Sequence, residues 1–380
     1  MADVYILGIE SSCDETAAAI VRSGAQVISS AVASQIATHQ PYGGVVPELA
    51  SREHLRAIVP VVRRALQDAN RTYESVDAIA VTKGPGLAGS LLVGVSFAKA
   101  LAFALEKPLI AVNHLEGHIH AVLLEERQKG NFDVQFPLMT LVVSGGHTHL
   151  YLATQQGESW RYRNVGHTRD DAAGEAFDKV AKLLALGYPG GPVIDALAKE
   201  GNPYAVKFPP SQIKHPNRGE KSDPNEGPQF DFSYSGIKTA VLRYVEQNGM
   251  RERIEQRRKA LEQMQKPKAA DVRALCDQQT VDLVASFQRA VVDDLVTKTL
   301  AAVAEYQIAT LFVSGGVAAN SELRQTFEKR AAEVGVPAFF PSRPLSTDNA
   351  AMIAAAAYPK WLAGEFAGQE FSAEAALPLR

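Results

Sequence analysis

The chain has 380 residues, 46% of them hydrophobic and 21% charged, with a formal net charge of −3. This describes a globular protein too long for one core, so two lobes are expected, and it excludes any whole-chain attraction to nucleic acid: an RNA site must be a local patch. Cys13 and Cys276 are the only cysteines, which excludes a disulfide framework and fits a reducing cytosol, and no run approaches 18 uninterrupted apolar residues of membrane character.

Residues 4–9, 17–21 and 27–34 read as strands separated by polar turns. The first ten residues lack a basic start followed by a long apolar run, so they read as strand and not as leader. Pro47 is placed as the first residue of a helix after Gly43 and Gly44. Leu55, Ile58, Val59, Val62 and Leu66 follow as an apolar stripe at helical spacing, which packs on its own sheet in preference to a partner. Residues 76–82 form a strand ending in Lys83-Gly-Pro-Gly86, then come a helix over about 90–105 and a buried strand at 109–112. A second block opens with strands at 137–144 and 148–154 around a Gly-Gly turn. Helices follow at 174–186 and from Tyr188-Pro-Gly-Gly-Pro192 to about 199. Residues 201–235, rich in Pro, Gly, Ser and charge, read as a loop over a site or an excursion. Residues 250–273 read as a basic helix with eight Lys or Arg against four acids. A solvated face explains that run first, and an RNA contact second. The Ala-rich stretch 350–357 reads as a packed helix. Strands alternating with helices imply an α/β architecture with parallel or mixed sheets.

His114-Leu-Glu-Gly-His118 places two imidazoles at i and i+4, on one helix face and close enough to share a metal. A zinc protease would carry Glu directly after the first His, but Leu115 stands there. Glu116 lies about 200° around the helix from His114, away from the shared ion. Val143-Ser-Gly-Gly146 recurs as Val313-Ser-Gly-Gly316, each after an apolar strand, where two glycines let a ligand approach the backbone. Chance repetition of common residues explains the echo equally well.

Glu10-Ser-Ser-Cys-Asp-Glu-Thr16 reads as a hairpin turn whose acids, Asp14 and Glu15, are suited to accept a proton or hold a metal-bound water. Asp348, just before the Ala-rich helix, reads first as an N-cap, or else as the carboxylate completing an open metal site with the histidines. Asp178 reads as the solvent side of its helix and Asn320 as a turn residue. There is no P-loop, no paired-Cys zinc site and no Gly-x-Ser-x-Gly elbow; Lys83 precedes its glycines, the wrong order for a P-loop.

Taken in order, nine segments resemble one family across nearly the whole chain. They are Gly8-Ile-Glu-Ser-Ser-Cys-Asp-Glu-Thr16, Tyr42-Gly-Gly-Val-Val-Pro-Glu-Leu-Ala-Ser-Arg52, Gly84-Pro-Gly86, His114-Leu-Glu-Gly-His118 and Val143-Ser-Gly-Gly-His-Thr148. Asp171-Ala-Ala-Gly-Glu-Ala-Phe-Asp-Lys179, Tyr188-Pro-Gly-Gly-Pro192, Ser314-Gly-Gly-Val-Ala-Ala-Asn320 and Thr347-Asp-Asn349 complete the set. The family is that of bacterial tRNA N6-adenosine threonylcarbamoyltransferases (TsaD), formerly called O-sialoglycoprotein endopeptidases.

The resemblance implies a two-lobed actin/Hsp70/sugar-kinase fold with a nucleotide cleft. The lobes are expected at 1–112 and 113–345, with a helix near 349–364 packing back on the first. It implies transfer of a threonylcarbamoyl group from threonylcarbamoyl-AMP to N6 of the adenosine beside the anticodon of tRNA; the alternative is a kinase or ATPase of the same fold. It places one divalent metal, Fe2+ in preference to Zn2+, on His114, His118 and Asp348. Substrate contacts fall on Val142, Val143, Ser144, Gly145, Gly146, Asp178, Gly191, Asp195 and Asn320. Asp14 and Glu15 lie nearest the reacting group, and ATP or AMP can occupy the same cleft. The implied partners are the tRNA anticodon stem-loop, a smaller paralogue (TsaB) as heterodimer and an ATPase helper (TsaE), in the cytoplasm and away from membranes. Two stretches, 211–229 and about 250–270, look longer than the family core needs, which bears on RNA docking. Ser346 stands where the family often has Cys.

Overall fold

The computed structural model describes residues 3–131, 134–157, 159–208, 230–264 and 267–380. The first half of the described chain forms β1 (Tyr5–Glu10), β2 (Glu15–Arg22), β3 (Gln26–Ser34), α1 (Ile36–His39), α2 (Pro47–Asp68), β4 (Ala78–Gly84), α3 (Ala88–Leu105), β5 (Leu109–Asn113) and α4 (His114–Gln128). Then come β6 (Leu138–Val143), β7 (Thr148–Gln156), β8 (Ser159–His167), α5 (Ala173–Leu183), α6 (Gly190–Ala198), α7 (Ser235–Gln247), α8 (Arg251–Glu262), α9 (Ala269–Ala274) and α10 (Gln278–Glu305). The chain finishes with β9 (Thr310–Ser314), α11 (Ser321–Glu333), β10 (Ala338–Phe339), α12 (Arg343–Ser346) and α13 (Ala350–Ala363). The expected excursion at 211–229 lies outside the described residues.

The strands form two five-stranded sheets, ordered β3-β2-β1-β4-β5 and β10-β9-β6-β7-β8. The two orders are one topology used twice. In each, a central strand pairs antiparallel with its successor and parallel with a later strand (β1 with β2 and β4, β6 with β7 and β9). The glycine echo therefore does not relate the two sheets. It joins β6 and β9, adjacent parallel strands of the second sheet, whose turns emerge at the same end.

Both sheets are covered on both faces, which is why their central strands are apolar without alternation. In β1, Ile6 packs toward α13 while Leu7 and Ile9 pack toward α2 and α3. Gly8 belongs where α13 begins, because a Cβ there would stand 2.2 Å from the Ala350 carbonyl oxygen. In β6, Met139, Leu141 and Val143 face the α5 and α10 side, while Leu138 and Val142 face α4. The stripe on α2 divides: Ile58, Val62 and Leu66 are buried against the first sheet, whereas Leu55 and Val59 are exposed. By length and composition α3 would suffice to cross a membrane; it lies beside α2 and exposes Leu92 and Phe103.

Helix α4 lies between the sheets. Ala121 and Leu124 join the core against the first, and Leu115, Ile119, Val122 and Leu123 join the core against the second. A helix held on both sides has no solvent face over most of its length, which is why its histidines are buried. The basic stretch departs from the expected single solvated helix: α8 ends at Glu262 and a separate short helix follows. Arg257 is buried, donating to the Leu184 carbonyl (2.5 Å), the Leu275 carbonyl and Thr280 Oγ1. Arg251, Arg253, Arg258 and Arg273 pair with Glu246, Asp277, Glu255 and Glu200. Much of the basic run thus serves internal contacts. Lys266 lies outside the described residues.

Candidate active site

Asn113 ends β5 and caps α4, its side chain accepting from the Leu115 amide at 2.9 Å. The cap starts the helix at His114, so the histidine pair occupies the first two turns. The rings of His114 and His118 meet edge to face, centroids 4.7 Å apart. Asp348 reaches them from the turn between α12 and α13. Its Oδ1 is 3.7 Å from His114 Nε2 and 3.2 Å from His118 Nε2, and one ligand atom from each of the three residues lies within 4.8 Å of the others. The N-cap expected at Asp348 falls instead on Asn349, which accepts from the Met352 amide at 3.0 Å. Asp348 is thereby released for the cluster.

Glu116 points away from the cluster, as its position on the helix requires, and pairs with Lys360 on α13. Both ring nitrogens of His118 are buried; Nδ1 has no hydrogen-bond partner among the described residues, and Nε2 faces only the Asp348 carboxylate. Burial works against charge on Asp348, but His114 and then His118 hold it well below the usual carboxylate range. Burial likewise opposes charge on His114, yet Glu10 and Asp348 carry it up to about 9. Two imidazoles and a carboxylate converging in a buried pocket make a donor set suited to a divalent first-row cation.

The hairpin turn 11–14 brings the acids to the same region. Burial first, then Asp14 and Asp348, push the Glu15 carboxyl up to about 9. The turn after β6 arrives from the opposite sheet: His147 lies 6.1 Å from His114, ring to ring, and burial followed by the neighbouring histidines lowers it to about 3. Gly145 and Gly146 are exposed, with open space where side chains would stand. Val142 and Val143 are buried in the strand behind them.

Asp178 is not on a free solvent face: it accepts the Gly190 amide at 2.7 Å, and burial, with Asp14 and Glu175 adding, raises it to about 6. Gly191 is open at its Cα. Asp195 and Asn320 form a second group. Asp195 accepts from the Ser321 amide and hydroxyl, while Asn320 caps α11 through the Leu323 amide and donates to Gln288.

The sequence reading assigned no role to four residues the structure places here. Glu10 is fully buried against His114, and His54 contacts Thr16 and the Cys13 carbonyl. His147 stands beside His114, and the Tyr188 hydroxyl feels burial first and then the charges of Asp14 and Asp178. The available signals were a carboxylate closing an apolar strand and, for His147 and Tyr188, a place inside motifs read for their glycines; His54 lies outside every quoted motif.

With this geometry in hand, the comparisons with known proteins decide the family. The family model "TsaD: tRNA N6-adenosine threonylcarbamoyltransferase" matches residues 26–355. The chain belongs to this family. A curated relative from Koribacter versatilis, named tRNA N6-adenosine threonylcarbamoyltransferase, is 68% identical over the whole of both chains. Another of the same name from Symbiobacterium thermophilum is 50% identical, covering 96% of this chain and 94% of its own. Among solved structures, full-length HypF in its phosphate- and nucleotide-bound form aligns with a TM-score of 0.52 at 11% identity, covering 94% of this chain and 46% of that one. That likeness concerns the fold alone, and the twice-used sheet topology is the actin/Hsp70/sugar-kinase fold expected from the motifs.

Proposed function

We propose that this chain transfers the threonylcarbamoyl group of threonylcarbamoyl-AMP to N6 of the adenosine beside the anticodon of tRNA. The observation that carries the reading is the family match over residues 26–355. No observation favours the kinase or ATPase alternative. The exocyclic adenine amine is a poor nucleophile, because its lone pair is delocalised into the ring, so the acyl donor needs a good leaving group. A bond forms between N6 and the carbamoyl carbon, the bond from that carbon to the phosphate oxygen breaks, AMP departs, and one amine proton must be taken up.

The donor set fits a divalent cation, and the buried His118, whose Nε2 faces the Asp348 carboxylate at 3.2 Å, supports that fit. His114, His118 and Asp348 would hold it, Fe2+ in preference to Zn2+, and once bound it supplies Lewis acidity to a donor oxygen. The remaining work belongs to the chain. The backbone amides of Gly145 and Gly146 bind phosphate oxygens, with Ser144 and the strand end at Val142 and Val143 fixing the turn. Asp178, Gly191 and Asp195 contact the nucleotide, and Asn320 faces its adenosine. Asp14 and Glu15, on the turn that faces the cluster, are the acids placed to take up the proton leaving N6, and burial with the charges of Asp14 and Asp348 favours the protonated form of Glu15. The target base lies in a single-stranded loop, so little pairing energy opposes its entry into a cleft.

The smaller paralogue TsaB docks on α2 and α3, which expose Leu55, Val59, Leu92 and Phe103, and the ATPase helper TsaE completes a cytoplasmic assembly. The test is nucleoside mass spectrometry on unmodified tRNA incubated with this chain, threonylcarbamoyl-AMP and TsaB. A threonylcarbamoyl mass on adenosine is expected, and His114→Ala should lose metal and at least about 100-fold in rate. Full transfer by the variant would overturn the metal assignment; ATP turnover without product would restore the kinase alternative.

A further inference from the structure

The two histidines of the cluster are held in unequal ways. His118 meets Asp348 Oδ1 through Nε2 at 3.2 Å, and its buried Nδ1 has no hydrogen-bond partner among the described residues. His114 Nδ1 stands 3.0 Å from Glu10 Oε2 and 3.2 Å from Ser12 Oγ. Glu10 is the last residue of β1, is fully buried, and accepts two other hydrogen bonds, from the Ser12 amide and from Thr82 Oγ1 at 2.6 Å. A buried carboxylate is costly unless its lone pairs are occupied and a positive partner is near. Here the donors come from the turn and from the neighbouring strand β4, so the carboxylate is held from several sides before it meets the imidazole.

The geometry points to Glu10 as the positioning residue that fixes which nitrogen of His114 faces the metal. Its carboxylate accepts the Nδ1–H, which orients the ring and makes Nε2, on the side of Asp348, the nitrogen that gives up its proton to a metal. Imidazole ligands commonly donate their second nitrogen to a carboxylate, and such a partner sets both tautomer and basicity. Glu10 is not one of the three residues whose ligand atoms converge, so its role is to act through His114. This inference rests on the proposed metal reading of the cluster.

The experiment measures Zn2+ and Fe2+ affinity by chelator competition for the full chain and for Glu10→Gln, alongside ring 15N spectra of the zinc-loaded wild type. Glutamine keeps the size of the side chain but turns a donor either toward the Ser12 amide or toward both Thr82 and His114. The expected result is a loss of roughly 10- to 100-fold in affinity for the variant, and a wild-type His114 protonated at Nδ1 with Nε2 metal-bound. Unchanged affinity in Glu10→Gln, or a His114 bound through Nδ1, overturns the role given to Glu10 alone. A wild type that takes up neither metal overturns the metal reading beneath it. If Glu10→Gln does not fold, the wild-type spectrum still decides.

Discussion

Val143-Ser-Gly-Gly146 and Val313-Ser-Gly-Gly316 spell the same four residues and emerge side by side from β6 and β9, yet glycine serves a different end in each. Gly315 has φ of 90°, and a Cβ there would stand 2.4 Å from the Val143 carbonyl oxygen. Its turn passes so close to β6 that only glycine fits. Gly145 and Gly146 have no neighbour within 4 Å of such a Cβ and negative or extended φ. Nothing in the packing asks for glycine there, nor at Gly316, which is equally open, and the close ligand approach proposed for Gly145 and Gly146 would account for it. The crowding lies behind this turn: a Cβ on Gly174 of α5 would come within 2.5 Å of the Ser144 carbonyl oxygen. One turn is shaped by the fold and the other is backed by the fold and left open.

Substitution separates the two. Gly315→Ala should cost at least about 3 kcal/mol, from the backbone clash and the unfavourable φ together. Urea unfolding would measure it, and a loss below about 1 kcal/mol would break the contrast. The backing helix can be probed through Asp178. Its folded pKa of about 6 exceeds the unfolded value of 3.8. The folded state therefore holds this proton more tightly. That stability is complete below the unfolded pKa and is lost as pH rises through about 6. The stability of Asp178→Asn relative to wild type should accordingly grow by about 2 kcal/mol between pH 4 and 7, allowing for partial exposure. A flat difference would mean that the carboxylate is well solvated and the helix less closely packed behind the turn. The smallest effect on folding belongs to Gly146→Ala, which should change stability by less than about 1 kcal/mol while raising KM for the donor roughly 10-fold. An unchanged KM would leave the open turn without a ligand to explain it.

The strands of the first sheet were legible because Ile6, Leu7 and Ile9 are apolar in a short run, and α4 because its histidine spacing is helical. Ser159–His167 carried no such signal: its Arg161, Arg163 and Asn164 hide a strand that pairs with β7 on both sides of a bulge at Val165. The division of roles between Asp348 and Asn349 was equally hidden, since either residue can cap a helix and only the fold shows which one does. Glu10 was read as the start of a turn. Its partners Thr82 and His114 are 72 and 104 residues away in sequence, so no local pattern could disclose a buried carboxylate network. Arg257 was misread for the same reason, because the carbonyl of Leu184 that receives it lies 73 residues earlier. Apolar periodicity reports which face is inside; it is silent about which distant polar groups will meet there.

The packing of α13 also bears on how the protein is made. Residues 350–357 are buried and cover one face of the first sheet, whose strands are complete by Asn113. On a ribosome adding about 5–20 residues per second, that face waits on the order of ten to fifty seconds for its cover. Asp348 arrives about 230 residues after His118, so a growing chain holds two of the three ligands long before the third. A metal held by all three residues would therefore be captured only near the completion of synthesis, and the uncovered apolar sheet makes the nascent chain most exposed to aggregation during that interval.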